Sequence, residues 1–413
     1  MKLYLRTFGC RANQYDSETV RAMVTAAGGA IVDVPEDADV ALFNSCAVTA
    51  DAVADLRQQV RRAARANPSL RSVVMGCAPG LAGETADSIA ALPTVGALVA
   101  GANVREVATA LGIADPRATM QRQSGARALL RIQDGCDEHC TFCATTLARG
   151  AHRSRSADAL IDEARTLAGH HSEIVLTGVH IGSWGREHGG TLGALVERLV
   201  RDVPRVRFRL TSIEATEVDD RLAELLTGAP GRVAPHLHAP LQSGSDRVLR
   251  RMGRHWYTAA RYATAVERLA RRAPVFALAA DVIAGFPGEH EADHAATLAL
   301  VRALPFTSLH VFPYSPRPGT AAERLADQVA PRVARARAAE LRALGEAKAS
   351  VHRVARAGGL ADVVAVGSRE RRAGLTEDYL EVAVPHDAPG RFDATLVLRG
   401  EALVARARVA EVR

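Results

Sequence analysis

The segment "RIQDGCDEHCTFCATTLARG", residues 131–150, sets Cys136, Cys140 and Cys143 within eight positions. A closed structural zinc site takes four ligands and a disulfide takes two, so three thiols on one loop leave either set incomplete. The loop follows an apolar run, "ALLRIQDG" (128–135), that reads as a strand. Further strands are expected at "EIVLTGVH" (173–180), "RVRFRLTSI" (205–213), "HLHAPLQ" (236–242), "VFALAADVIAGF" (275–286) and "SLHVFPY" (308–314), with helical stretches between them. Six strands alternating with helices predict a barrel or partial barrel, and such barrels carry their active sites at the carboxyl-terminal ends of the strands. The three thiols belong at that mouth. They suit three irons of a cubane cluster whose fourth iron stays open to a substrate or cofactor. A zinc site completed by His139 or a distant ligand is the structural alternative.

On the amino-terminal side, residues 1–115 alternate strands at "KLYLRTFG" (2–9), "VALFNS" (40–45) and "RSVVMG" (71–76) with helices at "QYDSETVRAMVTAAGG" (14–29) and "DAVADLRQQVRRAARAN" (51–67). That order predicts an open parallel α/β sheet. Cys10, Cys46 and Cys77 each fall just past one of these strands. Carboxyl-terminal ends of parallel strands share one edge of an open sheet, so cysteines far apart in sequence converge there. Three buried small hydrophobic side chains are the plain alternative.

The polar segment "GIADPRATMQRQSGAR" (112–127) suits a linker. Beyond the barrel, a basic helix up to Arg356 leads into "ADVVAVGS" (361–368), "YLEVAVP" (379–385), "ATLVLRG" (394–400) and "ALVARARV" (402–409), a small all-β module. The expected domains are therefore 1–118, 122–350 and 351–413 of the 413 residues.

Arginine supplies nearly all the positive charge, with Lys2 and Lys348 the only lysines, and the net charge is +6. Arg332 to Arg356 carries seven basic residues against Glu340 and Glu346, and Arg247, Arg250, Arg251 and Arg254 form a second group. Such clusters attract phosphate, and a solvated helix face looks the same in sequence. The start "MKLYLRTFGC" lacks the layout of a secretory signal, and the longest apolar run, "IAALPTVGALVAG", is too short to span a bilayer and reads as buried core. A cytoplasmic protein with reduced thiols is expected, with no membrane partner.

The cysteine spacing C-x-x-x-C-x-x-C, with Phe142 before the last cysteine, resembles the signature of the radical S-adenosylmethionine (SAM) enzymes. "TFGCRANQYDSE", "FNSCAVT", "VMGC", "IQDGCDEHCTFC" with "ARG", "EIVLTGVHIG", "LTSIE", "HLHAPLQSGSDRVLRRMGR", "DVIAGFPGE" and "LHVFPYSPRPGT" resemble, in order, the motifs of the radical-SAM methylthiotransferases over nearly the whole chain. The resemblance implies a flavodoxin-like amino-terminal domain, a partial (β/α)6 barrel and a small carboxyl-terminal TRAM-like RNA-binding barrel. It implies that Cys136, Cys140 and Cys143 bind a 4Fe-4S cluster whose open iron chelates SAM and cleaves it to a 5'-deoxyadenosyl radical. It implies that Cys10, Cys46 and Cys77 hold an auxiliary 4Fe-4S cluster that delivers sulfur, while a second SAM supplies the methyl group. Phe142, Thr177, Gly178, Ser212, Glu214 and Gln242 become candidate SAM or substrate contacts, and Arg149, Arg247, Arg250, Arg251, Arg254 and Tyr379 candidate RNA contacts.

Within the family, "IQDGCDEHCTFC" and the "G-x-T-E-x-Y" strand in "GLTEDYLEVAV" favour the branch acting on N6-threonylcarbamoyladenosine at position 37 of tRNA, in the anticodon stem-loop. The implied partners are that tRNA, a reductant such as flavodoxin or ferredoxin, and a sulfur donor. The isopentenyladenosine branch and the branch modifying a ribosomal-protein aspartate are the neighbouring readings, and a non-catalytic iron–sulfur RNA-binding protein is the reading from another class. The sequence departs from the family at Thr146, where proline is usual, and at Ala279 and Ala280, where hydroxyl side chains often precede the aspartate, here Asp281. From Val351 to Arg413 ten arginines face nine acidic residues, so the β module alone attracts phosphate weakly.

Overall fold

The computed structural model describes residues 1–47, 50–81, 83–115, 120–367 and 372–407. Val48 and Thr49 of "FNSCAVT", the linker residues 116–119 with the expected joint at 118, and the end of the last expected strand lie outside the described residues.

Strands β1 (Lys2–Thr7), β2 (Ala30–Val32), β3 (Val40–Ser45), β4 (Arg71–Gly76) and β5 (Val95–Ala100) form one parallel sheet in the order β2-β1-β3-β4-β5. This is the flavodoxin-like order, with its topological switch between β1 and β3. All six residues of β3 are buried, as a central strand covered by helices on both faces requires. The apolar run expected as generic core is the edge strand β5, and the three-residue β2 is not legible in sequence because neither carries a clear alternating pattern.

The second layer system holds β6 (Ala128–Arg131), a short hairpin of β7 (Gln133–Asp134) and β8 (Arg153–Ser154), then β9 (Glu173–Thr177), β10 (Arg207–Leu210), β11 (His236–His238), β12 (Ala277–Ala284) and β13 (Ser308–Pro313). Parallel pairing runs β6-β9-β10 and β11-β12-β13, and the bridges Phe208 to Val233 and Ser212 to His238 join the two halves. The result is a six-stranded partial barrel with β6 and β13 at its edges. Leu130, Leu176, Phe208, Leu237, Leu278 and Val282 face outward into the helix-covered core. Fully burying side chains of this kind stabilises by about 2 kcal/mol each.

The long helix Pro331–Arg356 packs on β13 and leads to β14 (Leu360–Gly367), β15 (Arg372–Leu375), β16 (Glu381–Ala383), β17 (Arg391–Arg399) and β18 (Ala402–Ala407), which close into a small barrel. The "G-x-T-E-x-Y" segment is not one strand. Gly374 and Leu375 end β15, Thr376 to Leu380 make a turn with Tyr379 at φ +67°, and β16 follows.

The three units are locked together by buried polar contacts. Arg207 and Arg209 grip Glu173 at 2.6 and 2.9 Å, and all three are fully buried. Arg209 also donates to the Thr376 and Glu377 carbonyls of the small barrel, and Arg207 to the Asp362 carbonyl. Tyr379 stacks on His236 at 4.6 Å between ring centres, and Arg11 of the first sheet domain donates to its hydroxyl.

Candidate active site

Each auxiliary cysteine follows a strand of the first sheet, and local polar groups draw their loops together. The helix Arg11–Ala26 begins directly after Cys10, and Asn13 in its first turn donates to Phe8 O and Ser45 O at 3.1 and 2.7 Å. Asn44 returns a bond to Asn13 O at 2.7 Å, and the Cys77 backbone N–H donates to Ser45 O at 3.0 Å. Gly9, at φ +91°, lies so near Cys46 that an added Cβ would meet its Sγ at 2.8 Å. Cys10 and Cys46 thus stand at the topological switch of the sheet, where open α/β domains bind ligands. Burial pushes the Cys77 thiol up to about 11, with Cys10 and Cys46 adding to the rise and Arg149 opposing it.

The barrel cysteines lie after the hairpin strand β7. Gly135, at φ +70°, has no room for a side chain against the Ala151 carbonyl, and the Cys136 N–H donates to Gly150 O at 3.1 Å. Cys136 Sγ lies 4.0 Å from His180 Nδ1, and Cys140 Sγ accepts from Arg254 at 3.6 Å. The Thr145 N–H donates to Cys143 Sγ at 3.4 Å. Burial pushes the Cys140 thiol up to about 12 against the pull of Arg254. Burial disfavours charge on His180, yet the Cys136 sulfur and the Glu217 carboxylate raise its pKa to about 10. Iron coordination removes thiol protons outright, so raised values for bare thiols are compatible with ligand duty.

Two arginines link the thiol sets. Arg149, buried at the end of the helix Thr145–Arg149, donates to Asn13 at 2.7 Å, Asp16 at 2.9 Å and Asp134 at 3.0 Å, and feels the charge of Cys77 and Cys10. Arg317 donates to Phe142 O at 2.8 Å and feels Cys143 and Cys46 together. The turn after Cys77 also packs on the helix that follows Cys143, where a Cβ on Gly80 would meet the Ala148 carbonyl at 2.7 Å, so the two thiol-bearing loops meet.

The expected SAM contacts gather at the same mouth. Gln133 accepts from the Val179 and His180 N–H groups at 3.0 and 2.8 Å, fixing the turn at Thr177 and Gly178. A Cβ on Gly178 would meet Gln133 O at 2.7 Å, so glycine is required there. Phe142 packs edge-on against Phe286 at 6.3 Å. Ser212 bridges to His238, and Gln242, at φ +62°, donates to the Asp281 carbonyl at 2.8 Å. Glu214 pairs with Arg254 but leaves Oε2 buried without a partner, as are Thr211 Oγ1, Tyr314 Oη and Arg317 Nε. Three soft thiol donors on one loop, with unpartnered polar atoms around them, fit a cubane cluster carrying a polar small molecule.

Two expected RNA contacts are corrected. Arg149 and Arg254 are buried, 6% and 5% exposed, and Arg254 lies over Trp256 and Tyr257 beside Cys140. Neither reaches solvent phosphate; both serve the thiol loops. Tyr379 is a joint between the three units, held by His236 and Arg11. Arg247 is bound to Asp293 and donates to Gly288 O at 2.5 Å. Arg251 donates to Pro287 O at 2.9 Å and Ala326 O at 3.3 Å, while Arg250 is exposed. In the basic helix, Arg337 and Arg356 are buried against Glu289, Glu377 and Asp378. Charge is legible in sequence; the direction in which an arginine points is not. Gln133 and Arg317 escape a reading of the sequence for the same reason.

A family model described as uncharacterized protein family UPF0004 matches residues 2–100, and that of the radical SAM superfamily matches residues 130–301. In fold, the chain is similar to the radical SAM methyltransferase TsrM of Kitasatospora setae (TM-score 0.55, 15% identity, 76% of this chain and 74% of that one). Barrel, three-thiol loop and superfamily match together define a radical SAM enzyme, which uses SAM and a 4Fe-4S cluster. Among sequence relatives, the Bacillus subtilis protein named threonylcarbamoyladenosine tRNA methylthiotransferase MtaB is 37% identical over 366 residues, covering 82% of this chain and 79% of its own. The Thermotoga maritima protein of the same name is 33% identical over 335 residues, 78% and 76% of the two chains. A Cereibacter sphaeroides tRNA-2-methylthio-N(6)-dimethylallyladenosine synthase is 35% identical over 342 residues, 78% and 77%. The chain belongs to the radical-SAM methylthiotransferase family.

Proposed function

We propose that this protein transfers a methylthio group to C2 of N6-threonylcarbamoyladenosine at position 37 of tRNA. The observation that carries the reading is the meeting of the two thiol-bearing loops from separate domains, where Arg149 of the barrel donates to Asn13 and Asp16 just after Cys10 and Gly80, just after Cys77, lies against Ala148. Cys136, Cys140 and Cys143 would hold the SAM-binding 4Fe-4S cluster, and Cys10, Cys46 and Cys77 an auxiliary 4Fe-4S cluster. When bound, these groups supply an adenosyl radical that takes a substrate hydrogen, and the sulfur that replaces it. The chain contributes placement. Gln133 shapes the turn beside SAM, Arg254 neutralises Glu214 against Cys140, Arg149 ties the barrel loop to the helix after Cys10, and Arg317 holds the Phe142 carbonyl. The name shared by the Bacillus and Thermotoga relatives supports the threonylcarbamoyl substrate.

The small barrel would act as a TRAM-like RNA binder, helped by exposed phosphate contacts outside it, Arg250 of the central domain and Arg332, Arg335 and Arg342 of the long helix. A reductant such as flavodoxin or ferredoxin and a sulfur donor would complete the cycle. The setting would be cytoplasmic; among the described residues no helix is long and apolar enough to cross a membrane.

Mass spectrometry of tRNA nucleosides from a strain lacking the gene tests the proposal. The methylthio form of threonylcarbamoyladenosine should vanish while the unmodified nucleoside accumulates. Loss of methylthio-isopentenyladenosine instead would move the substrate to the branch of the Cereibacter relative. No change in any nucleoside would sink the tRNA reading.

A further inference from the structure

Strands β11, β12 and β13 turn Leu237, Leu278, Ala280, Val282 and Val311 outward into the core. Side chains alternate along a strand, so His238, Asp281, His310 and Phe312 face the barrel lumen. Asp281 pairs in register with His310, and Ile283 with Phe312. Asp281 Oδ1 lies 3.1 Å from His238 Nε2 and 3.3 Å from His310 Nδ1. His238 Nε2 is buried and off the line of a hydrogen bond, so it lacks a bonded partner. Burial works against charge on Asp281, but the two imidazoles hold its carboxyl well below the usual carboxylate range. The trio stands directly beside the expected SAM contacts. The Gln242 N–H bonds the Asp281 carbonyl, and the Ile213 N–H, one residue after Ser212, bonds the His238 carbonyl at 3.0 Å.

Two features separate this wall from a structural cluster. His310 is 54% exposed on the edge strand of the open barrel, and Phe312, two residues on, is 46% exposed. An aromatic face left open beside a polar edge is how proteins hold an unstacked base.

We propose that this wall recognises the target nucleoside, with Phe312 stacking on the purine and His238, Asp281 and His310 binding a polar, amide-bearing N6 substituent. The inference rests on the tRNA-adenosine reading and adds the basis of its choice between substituents. A carboxylate accepts an amide N–H and an imidazole donates to its carbonyl, whereas an isopentenyl group offers the trio neither and would leave the buried His238 Nε2 without a partner. Rejection of a partner that leaves buried polar groups unpaired is the stronger form of discrimination.

The test is a binding titration of the reconstituted full-length enzyme with SAM. Three anticodon stem-loop RNAs serve as probes, bearing threonylcarbamoyl-, isopentenyl- or plain adenosine. The wild type should bind the threonylcarbamoyl RNA at least about tenfold tighter than the isopentenyl RNA. His310→Leu should lose most of that preference, and His310→Gln, which keeps an N–H donor, should restore part of it. Phe312→Ala should weaken all three RNAs by a similar factor of about ten. Equal preference in wild type and His310→Leu, or identical behaviour of the Leu and Gln variants, would overturn the wall as reader. A stoichiometric divalent metal present in wild type and absent from His310→Leu, with RNA preference unmoved, would reassign the trio as a metal site. If the wild type methylthiolates the threonylcarbamoyl RNA while these binding results fail, only this inference falls. If it methylthiolates the isopentenyl RNA alone, the functional reading falls first.

Discussion

Arg149 is the clearest case of one side chain carrying two duties. Its guanidinium satisfies Asn13, Asp16 and Asp134 and faces the thiols of Cys77 and Cys10. Breaking a buried ion pair from one side leaves a bare charge behind, at about 3–5 kcal/mol. Arg149→Met is therefore expected to lower stability by about 3 kcal/mol in denaturant melts, with iron released first from the auxiliary set. Arg254 makes a separable prediction. It donates to Cys140 Sγ and carries positive charge beside it. Hydrogen bonds and charge at the sulfurs stabilise the reduced, more negative cluster. Arg254→Gln should shift the midpoint potential of the SAM-binding centre downward in an EPR-monitored redox titration; an unchanged or raised potential would count against that role.

Among elements, the helix Pro331–Arg356 divides its charge. Arg337 and Arg356 are spent on buried partners, whereas Arg332, Arg335 and Arg342 are exposed. Reversing those three to glutamate should weaken tRNA binding and reduce its salt slope by about one for each phosphate that the helix no longer neutralises. An unmoved affinity would place the RNA elsewhere. Cys46 is placed correctly from sequence because "VALFNS" is apolar on both faces and the cysteine follows it directly. A strand-then-loop pattern of the same kind places the barrel thiols. The short strands β2, β7 and β8 leave no periodic trace, because two or three residues cannot display a period. The wall of His238, Asp281 and His310 leaves a weak one. "HLH" puts two imidazoles on one face of a strand, but their partners arrive 43 and 72 positions later, through pairing that no local pattern encodes.

At the scale of the molecule, the seam between barrel and small domain rests on a buried carboxylate. Burial opposes its charge, yet Arg209, Arg207 and Arg127 hold the Glu173 carboxyl far below the usual range. A carboxylate with a depressed folded pKa stabilises fully above its unfolded value, near about 4.3, and loses that contribution as pH falls toward the folded value. The acid limb of the stability profile should therefore steepen from about pH 5 downward. Glu173→Gln should flatten that limb while costing about 3–5 kcal/mol at neutral pH through the two stranded arginines. A variant with the wild-type acid limb would show that other carboxylates govern it.

The stacked pair of His236 and Tyr379, with Arg209 bonded to the turn beneath, stoppers the barrel at its base. A chamber closed below cannot be flushed through. Whatever enters from the mouth or from the gap between the edge strands has to back out the same way. Departure of spent products is then an obligatory prelude to the next arrival.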